Sequence, residues 1–69
     1  MINHFAENLL YYRNKKNISQ THLARRVHTT HQTISHYEHG TRYCDLDSLI
    51  RIADVLEVSI DDLIRNPHP

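Results

Sequence analysis

Histidine is the residue type in this sequence that offers the widest chemistry, with seven histidines among 69 residues. Two pairs have a three-residue spacing, which places side chains on one face when both residues lie on a helix. They are His28 with His31 and His36 with His39, and only the second pair is helical because His28 lies in a predicted turn. Imidazoles at this spacing can hold zinc when further ligands complete the site. Cys44 is the single cysteine and neither pair has an acidic cluster beside it, so we expect no metal and no other cofactor, with zinc sensing as the alternative.

The glycine content argues against catalytic machinery. Gly40 is the only glycine, and both the nucleophile elbow of hydrolases and the phosphate-binding loops need several glycines at fixed positions. Serine, histidine and aspartate are plentiful, but a domain of this size offers little concave volume in which three of them could converge. We therefore expect that the chain is not an enzyme.

The charged residues are distributed unevenly, although the net charge is zero with neutral histidines. Residues 1–43 hold six of the eight Lys and Arg residues and two of the eight acidic residues, whereas residues 44–69 hold two and six. Six of the seven histidines also lie in the first segment, and their protonation would make it more basic. The first segment could therefore face a polyanion, and a chance distribution of solvated charges is the alternative.

The length and the apolar content limit the size of the core. A chain of 69 residues with one Phe and no Trp can build one small domain, whose core comes mainly from Leu, Ile and Val. We therefore predict a domain over residues 1–66, a short polar tail over residues 67–69, and self-association that supplements the core. No apolar run approaches the roughly 18 residues of a membrane span and the first residues lack the pattern of a signal peptide, so we expect a cytoplasmic protein.

Caps and apolar periodicity predict a chain made of helices. Gly40 and two terminal prolines are the only strong breakers, which favours helices joined by short polar turns over hairpins. Four polar residues can cap a helix by accepting a hydrogen bond from a first-turn amide: Ser19, Thr30, Asp45 and Ser59. The predicted helices cover residues 3–16, 20–27 and 31–39, with a fourth starting after Asp45 and a fifth after Ser59.

The apolar residues indicate which helix faces are buried. Leu23, Ala24 and Val27 of the second helix are placed to pack against the third helix, which presents Ile34 and Tyr37. Ala24 is small enough to let two helices approach closely across a tight turn. On the fourth helix, the predicted inward face consists of Leu46, Leu49, Ile50, Ala53 and Leu56.

Three linked motifs run through the chain. They are Ser19-Gln20-x-x-Leu23-Ala24-x-x-Val27, then Thr30-x-x-Thr33-Ile34-Ser35-x-Tyr37-Glu38-x-Gly40, then Leu46-Asp47-x-Leu49-x-x-Ile52-Ala53-x-x-Leu56-x-Val58-Ser59-x-Asp61-x-Leu63. With these motifs the sequence resembles the Cro/C1-type, XRE-like helix-turn-helix family of phage repressors and related bacterial regulators. The resemblance implies an all-α fold, a compact five-helix bundle of the lambda-repressor-like type in which helices two and three form the helix-turn-helix.

The resemblance also implies which side chains contact DNA. The third helix would lie in the major groove, with base contacts from His31, Gln32, Thr33 and His36. Gln can form a bidentate pair with adenine, Thr can meet a thymine methyl group, and His can donate to or accept from a base edge. Phosphate contacts would come from Gln20, Thr30, Arg42 and Tyr43. A solvated polar helix face without a ligand is the alternative.

Three further features follow from the resemblance. Arg13 and Glu38 correspond to a structural ion pair that ties the first helix to the end of the third. His28 stands where the family commonly has glycine, in the turn between helices two and three. A residue other than glycine is strained at positive φ, so the turn geometry could differ here. Protonation of His31 and His36 would strengthen DNA binding as the pH falls.

The sequence therefore indicates a transcriptional regulator of bacterial or phage origin that binds double-stranded DNA. We expect a repressor that binds a palindromic operator as a homodimer, with half-sites about one helical turn apart. The alternative is an antitoxin or antirepressor-like module whose main role is to bind a protein partner. The acidic residues from Asp54 to Asp62 could form that surface, and exposure of Ile60 or Ile64 would support it or equally a homodimer interface.

Overall fold

Five helices make up the computed structural model, which describes residues 4–65. They are α1 (Phe5–Lys15), α2 (Gln20–Arg26), α3 (His31–His39), α4 (Leu46–Leu56) and α5 (Ile60–Ile64). Residues 4–65 contain no strand, and each of their helices is too short or too polar to cross a membrane. The predicted all-α fold with five helices is confirmed. The predicted tail, residues 67–69, lies outside the described residues.

All four predicted N-caps are present, which explains why the helices begin where the sequence places them. Each cap side chain accepts a hydrogen bond from the backbone amide three residues further on: Ser19 from His22, Thr30 from Thr33, Asp45 from Ser48 and Ser59 from Asp62. Ser59 and Asp62 complete a reciprocal capping box. The hydroxyl and amide of Ser48 both donate to the Asp45 carboxylate, and these hydrogen bonds lower the pKa of Asp45.

A single apolar core joins the helices. α3 packs against α1 and α2, while α5 packs against α1 and α4. The rings of Phe5 and Tyr37 meet edge to face with centroids 5.9 Å apart, which links α1 to α3. Asn8 is fully buried, and its side-chain amide donates to the carbonyl of Leu63 at 3.1 Å. The buried apolar residues are Phe5, Leu9, Leu23, Ala24, Val27, Ile34, Tyr37, Ile52, Ala53, Leu56 and Leu63.

The predicted inward face of α4 is partly wrong. Leu46 is 66% exposed and Ile50 is 41% exposed, whereas Ile52 is fully buried. Leu49 packs against the core, and the next residue along a helix is rotated by about 100°. Ile50 is therefore turned away from the core, and Leu46 stands at the exposed start of the helix. The apolar residues of α4 allow more than one buried helix face. In the structure, the face that contains Ile52 packs against α2 and α5.

Within the described part of the chain, three residues other than glycine adopt a left-handed backbone conformation. Asn17 and His28 each have φ of 62°, and Glu57 has φ of 58°. Gly40 has φ of 72° and ends α3 as predicted. At position 28 the turn keeps the left-handed conformation although the residue is histidine. The Lys16 ammonium pairs with the Glu57 carboxylate, which lowers the pKa of Glu57.

The strain at His28 leads to a stability prediction. We expect His28→Gly to raise the free energy of unfolding by about 1 kcal/mol, because a left-handed backbone costs an L-residue about 1–2 kcal/mol and the greater unfolded entropy of glycine offsets part of that gain. Chemical denaturation measures the change. The matched control is His22→Gly within α2, which should lower the free energy of unfolding by about 0.3–0.5 kcal/mol, because His is only modestly better than Gly in a helix. A destabilised His28→Gly variant would contradict this account.

Candidate nucleic-acid interface

α2 and α3 are joined by a tight turn that fixes their relative orientation. The amide of Thr29 donates to the carbonyl of Ala24 at 2.9 Å, and the amide of Val27 donates to the carbonyl of Leu23 at 3.0 Å. Ala24 is 2% exposed at the contact between the two helices. The small side chain permits the close approach expected from the sequence. The turn therefore holds α3 firmly against the rest of the domain.

The outer face of α3 is polar and exposed. Ile34 and Tyr37 are buried on one side of the helix. Residues three and four positions apart share a face of a helix, and the residues on the opposite face of α3 are exposed. We call this surface the α3 outer face; it consists of His31, Gln32, His36 and His39. Three of its members are predicted base-contacting residues. His39 is the fourth member, and its three-residue spacing from His36 predicts its place on the same face without assigning it a contact with DNA.

Thr33 is less exposed than its three companions in the predicted set. It is half-buried, and its hydroxyl lies 3.1 Å from the hydroxyl of Thr30 and accepts a hydrogen bond from the Arg42 guanidinium at 3.4 Å. The structure thus brings Thr30, Thr33 and Arg42 together at the start of α3. Tyr43 follows Arg42 and is 75% exposed. Residues predicted to contact bases and residues predicted to contact phosphates are therefore neighbours here.

A network of charged and polar side chains connects the first three helices. Arg13 Nε lies 2.5 Å from Glu38 Oε2 and Arg13 Nη2 lies 3.1 Å from Glu38 Oε1, a two-pronged contact. Arg13 Nη1 also donates to the carbonyl of Ile18 at 2.8 Å. The exposed fractions of the two side chains are 12% for Arg13 and 4% for Glu38. The structure therefore brings this expected pair together in the interior.

Gln20 belongs to the same network. Its Nε2 donates to Glu38 Oε1 at 2.9 Å, which the sequence did not indicate. A side-chain amide carries two N–H bonds, so the contact with Glu38 orients Gln20 and leaves the second N–H for another acceptor. Gln20 lies at the start of α2 and is half-buried.

The two histidines at the end of α3 bind different groups of their own helix and of the segment after it. His36 Nδ1 lies 2.8 Å from the Thr41 hydroxyl. His39 Nδ1 lies 2.7 Å from the carbonyl oxygen of Ser35. Within residues 4–65 there is no group of three or more His, Cys, Asp or Glu side chains that could hold a metal ion.

Two side chains near α3, Cys44 and Tyr37, have raised pKa values. Burial raises the pKa of the Cys44 thiol to about 11 and raises the pKa of the Tyr37 phenol as well. A thiol must ionise to act as a nucleophile. Cys44 is therefore a structural residue beneath the segment that carries Arg42 and Tyr43.

The arrangement of α2, the turn and α3 is that of a helix-turn-helix. The chain matches the helix-turn-helix family over residues 9–63. It belongs to this family in its Cro/C1-type form, whose members are DNA-binding transcriptional regulators and not enzymes.

Individual relatives agree with this membership. The uncharacterized HTH-type transcriptional regulator YqaE of Bacillus subtilis is 36% identical over 61 residues, which cover 88% of this chain and 53% of YqaE. The chain thus spans about half the length of that relative. The restriction-modification controller protein C.AhdI from Aeromonas hydrophila superposes with a TM-score of 0.81 at 25% identity, covering 86% of both chains. The P22 c2 repressor protein, solved in complex with a synthetic operator, gives a TM-score of 0.82 at 25% identity, covering 86% of this chain and 89% of that one.

The part-buried ion pair generates a second stability prediction. Glu38→Gln keeps the shape of the side chain but leaves the part-buried Arg13 charge without its counter-ion, so we expect the free energy of unfolding to fall by about 2 kcal/mol. Thermal and urea unfolding measure the loss. The control is Glu57→Gln, which removes an exposed partner of Lys16 and should change the stability little. Equal effects of the two substitutions would contradict the role of the Arg13 network.

Proposed function

We propose that this protein is a sequence-specific regulator that represses transcription by binding a palindromic operator as a homodimer. The observation that carries the proposal is the α3 outer face, where exposed hydrogen-bonding side chains project from a helix that is held rigidly by its other side. A helix of this width fits the major groove, in which each base pair presents a distinct pattern of donors and acceptors. The similarity to a repressor solved with its operator supports the same use of α3 here.

We assign contacts with the DNA backbone to side chains on both flanks of α3. Gln20 has a second amide N–H beyond the one that Glu38 binds. Thr30, Arg42 and Tyr43 are exposed at or beyond the ends of α3. Such contacts fix the register of a protein on the duplex, while the base contacts supply the sequence preference. We assign the bases to His31, Gln32, Thr33 and His36, as predicted from the sequence.

An exposed apolar surface that begins directly after Arg42 favours a homodimer. Leu46 and Ile50 lie one turn apart on the outside of α4, and Tyr43 precedes that helix. We call these three residues the α4 apolar patch. The patch begins directly after Arg42, so a second copy bound here would lie next to the proposed DNA surface. A two-fold axis at the patch would then present two α3 helices to one duplex.

A protein partner on the acidic half is the second candidate, and the structure favours it less. Glu57 pairs with Lys16, Asp61 pairs with Arg65, and Asp62 is used in the cap of α5. Ile60 and Ile64 are half-buried and pack against the core, so they do not form the exposed surface that would support this alternative. Much of the acidic segment therefore serves the chain's own structure.

Selection of bound duplexes from a randomised pool tests the proposal directly. The purified protein is incubated with the pool at low and high salt, and the bound fraction is sequenced. We expect a palindrome whose half-sites lie about 10 base pairs apart, with affinity that falls steeply as salt increases. Weak binding without enrichment of any sequence would contradict the proposal and favour the partner-binding alternative.

Two substitutions separate base contacts from phosphate contacts. We expect Gln32→Ala to cost about 1–3 kcal/mol on the selected operator and to relax the preference at one base position. Arg42→Ala should instead weaken binding to all sequences alike and reduce the logarithmic salt slope by about 1. Fluorescence anisotropy with operator and random duplexes measures both. A loss of equal size on both duplexes for Gln32→Ala would contradict the assignment.

The dimer surface has its own test, with a control of equal exposure. We expect Ile50→Glu to weaken self-association by about tenfold or more, because it places a charge in an apolar interface. Leu10→Glu is the matched control, since Leu10 on α1 is 40% exposed and Ile50 is 41% exposed. Sedimentation equilibrium measures the association constant. Equal effects of both substitutions, or a wild-type chain that stays monomeric on its operator, would contradict this interface.

A further inference from the structure

We propose that Thr41 holds the imidazole of His36 in the tautomer with its proton on Nδ1, so that the neutral ring reads an amino group on a base in the major groove. Thr41 is then a positioning residue that selects the kind of base without touching DNA. The inference rests on the proposed function, in which the α3 outer face lies in the major groove. It concerns which chemical pattern His36 recognises there.

The hydrogen bonds around Thr41 favour a proton on His36 Nδ1. Thr41 Oγ1 lies 3.2 Å from the backbone carbonyl oxygen of His36 and 2.8 Å from His36 Nδ1. A carbonyl oxygen only accepts, so the hydroxyl is the donor in the first contact. A hydroxyl has one proton, and its lone pair is therefore what meets Nδ1. Both hydrogen bonds exist together only when His36 Nδ1 carries a proton. The opposite tautomer would use the hydroxyl proton for the ring and give up the bond to the carbonyl.

His39 shows the same state on the neighbouring ring. Its Nδ1 lies 2.7 Å from the carbonyl oxygen of Ser35, which accepts but never donates. The proton of a neutral His39 is therefore on Nδ1 as well. His36 is exposed, and its Nε2 has no hydrogen-bond partner among residues 4–65. Once Nδ1 is engaged by Thr41, Nε2 of His36 is left to face outward as an acceptor.

An acceptor in the major groove distinguishes the bases. Adenine presents the N6 amino group and cytosine presents the N4 amino group, whereas guanine presents O6 with N7 and thymine presents O4. A neutral ring with a free Nε2 lone pair therefore favours adenine or cytosine on the strand it contacts. The other tautomer would donate from Nε2 to an acceptor on guanine, on thymine or at N7 of adenine, so it would no longer require an amino group. The single hydroxyl of Thr41 thus determines which of these two patterns His36 accepts.

Nuclear magnetic resonance tests the tautomer without DNA. Long-range proton–nitrogen spectra of the full chain at about pH 8, above the ordinary titration range of imidazole, report which ring nitrogen is protonated. We expect Nδ1 to be protonated in both His36 and His39. Thr41→Val should allow His36 to carry its proton on Nε2 and should leave His39 unchanged. Thr41→Ser should restore the wild-type state of His36. A His36 ring protonated on Nε2 in the wild type would overturn the proposal.

Operator variants test the readout. The base pair that His36 reads is the one whose preference is lost in His36→Ala. We expect adenine or cytosine on the contacted strand at that pair, and inversion of the pair should weaken wild-type binding about fivefold to tenfold. Thr41→Val should reduce this ratio to about twofold or less, while Thr41→Ser keeps it and preferences at other positions stay unchanged.

The outcomes separate the two levels of the proposal. If no operator is enriched in the selection, the proposed function fails. If an operator is enriched but His36→Ala changes no preference, or the selected base is guanine or thymine, or Thr41→Val leaves the inversion ratio unchanged, the proposed function stands and the inference about His36 and Thr41 is overturned.

Discussion

The contact between Arg13 and Glu38 determines how the first three helices meet. Arg13 binds both carboxylate oxygens of Glu38 and also the carbonyl of Ile18 in the turn after α1. Gln20 at the start of α2 binds the same carboxylate. Two nearly buried charges are costly to desolvate unless each is fully satisfied, so this arrangement tolerates few relative positions of the helices. The Arg13 network therefore acts mainly by favouring one arrangement of the three helices over others, and it sets the direction in which α3 faces.

The apolar core stabilises the helices in the arrangement that the Arg13 network favours. The core residues come from all five helices, and Asn8 ties α1 to the end of α5 through the Leu63 carbonyl. Small size requires short connections, and three of the connections within residues 4–65 use a left-handed residue other than glycine, at Asn17, His28 and Glu57. Each such residue costs free energy that the core must offset. The turns are thus locally strained, and the close packing of the short helices offsets this strain.

The sequence predicts the local features of this structure well and the long-range features less well. Caps such as Ser19 and Asp45 are readable because the partner amide lies three residues away. The burial of Ile52 in place of Ile50 was not readable, because it depends on how α4 packs against its neighbours. Arg13 and Glu38 are 25 residues apart, and only the resemblance to a family indicated that they pair. No local pattern signals a contact of that kind.

The orientation of side chains at the interface is the feature that could least be predicted from the sequence. Spacing places a histidine on a face of α3, but it does not show that His36 bends towards Thr41 or that Thr33 is shared between Thr30 and Arg42. These contacts arise from the short segment of residues 40–44, which begins at the left-handed Gly40. The same segment carries Tyr43 towards the outside. The residues to which we assign the positioning of His36, the contact with the DNA backbone and the start of the proposed dimer surface are therefore consecutive, so a shift of this segment would alter all three together.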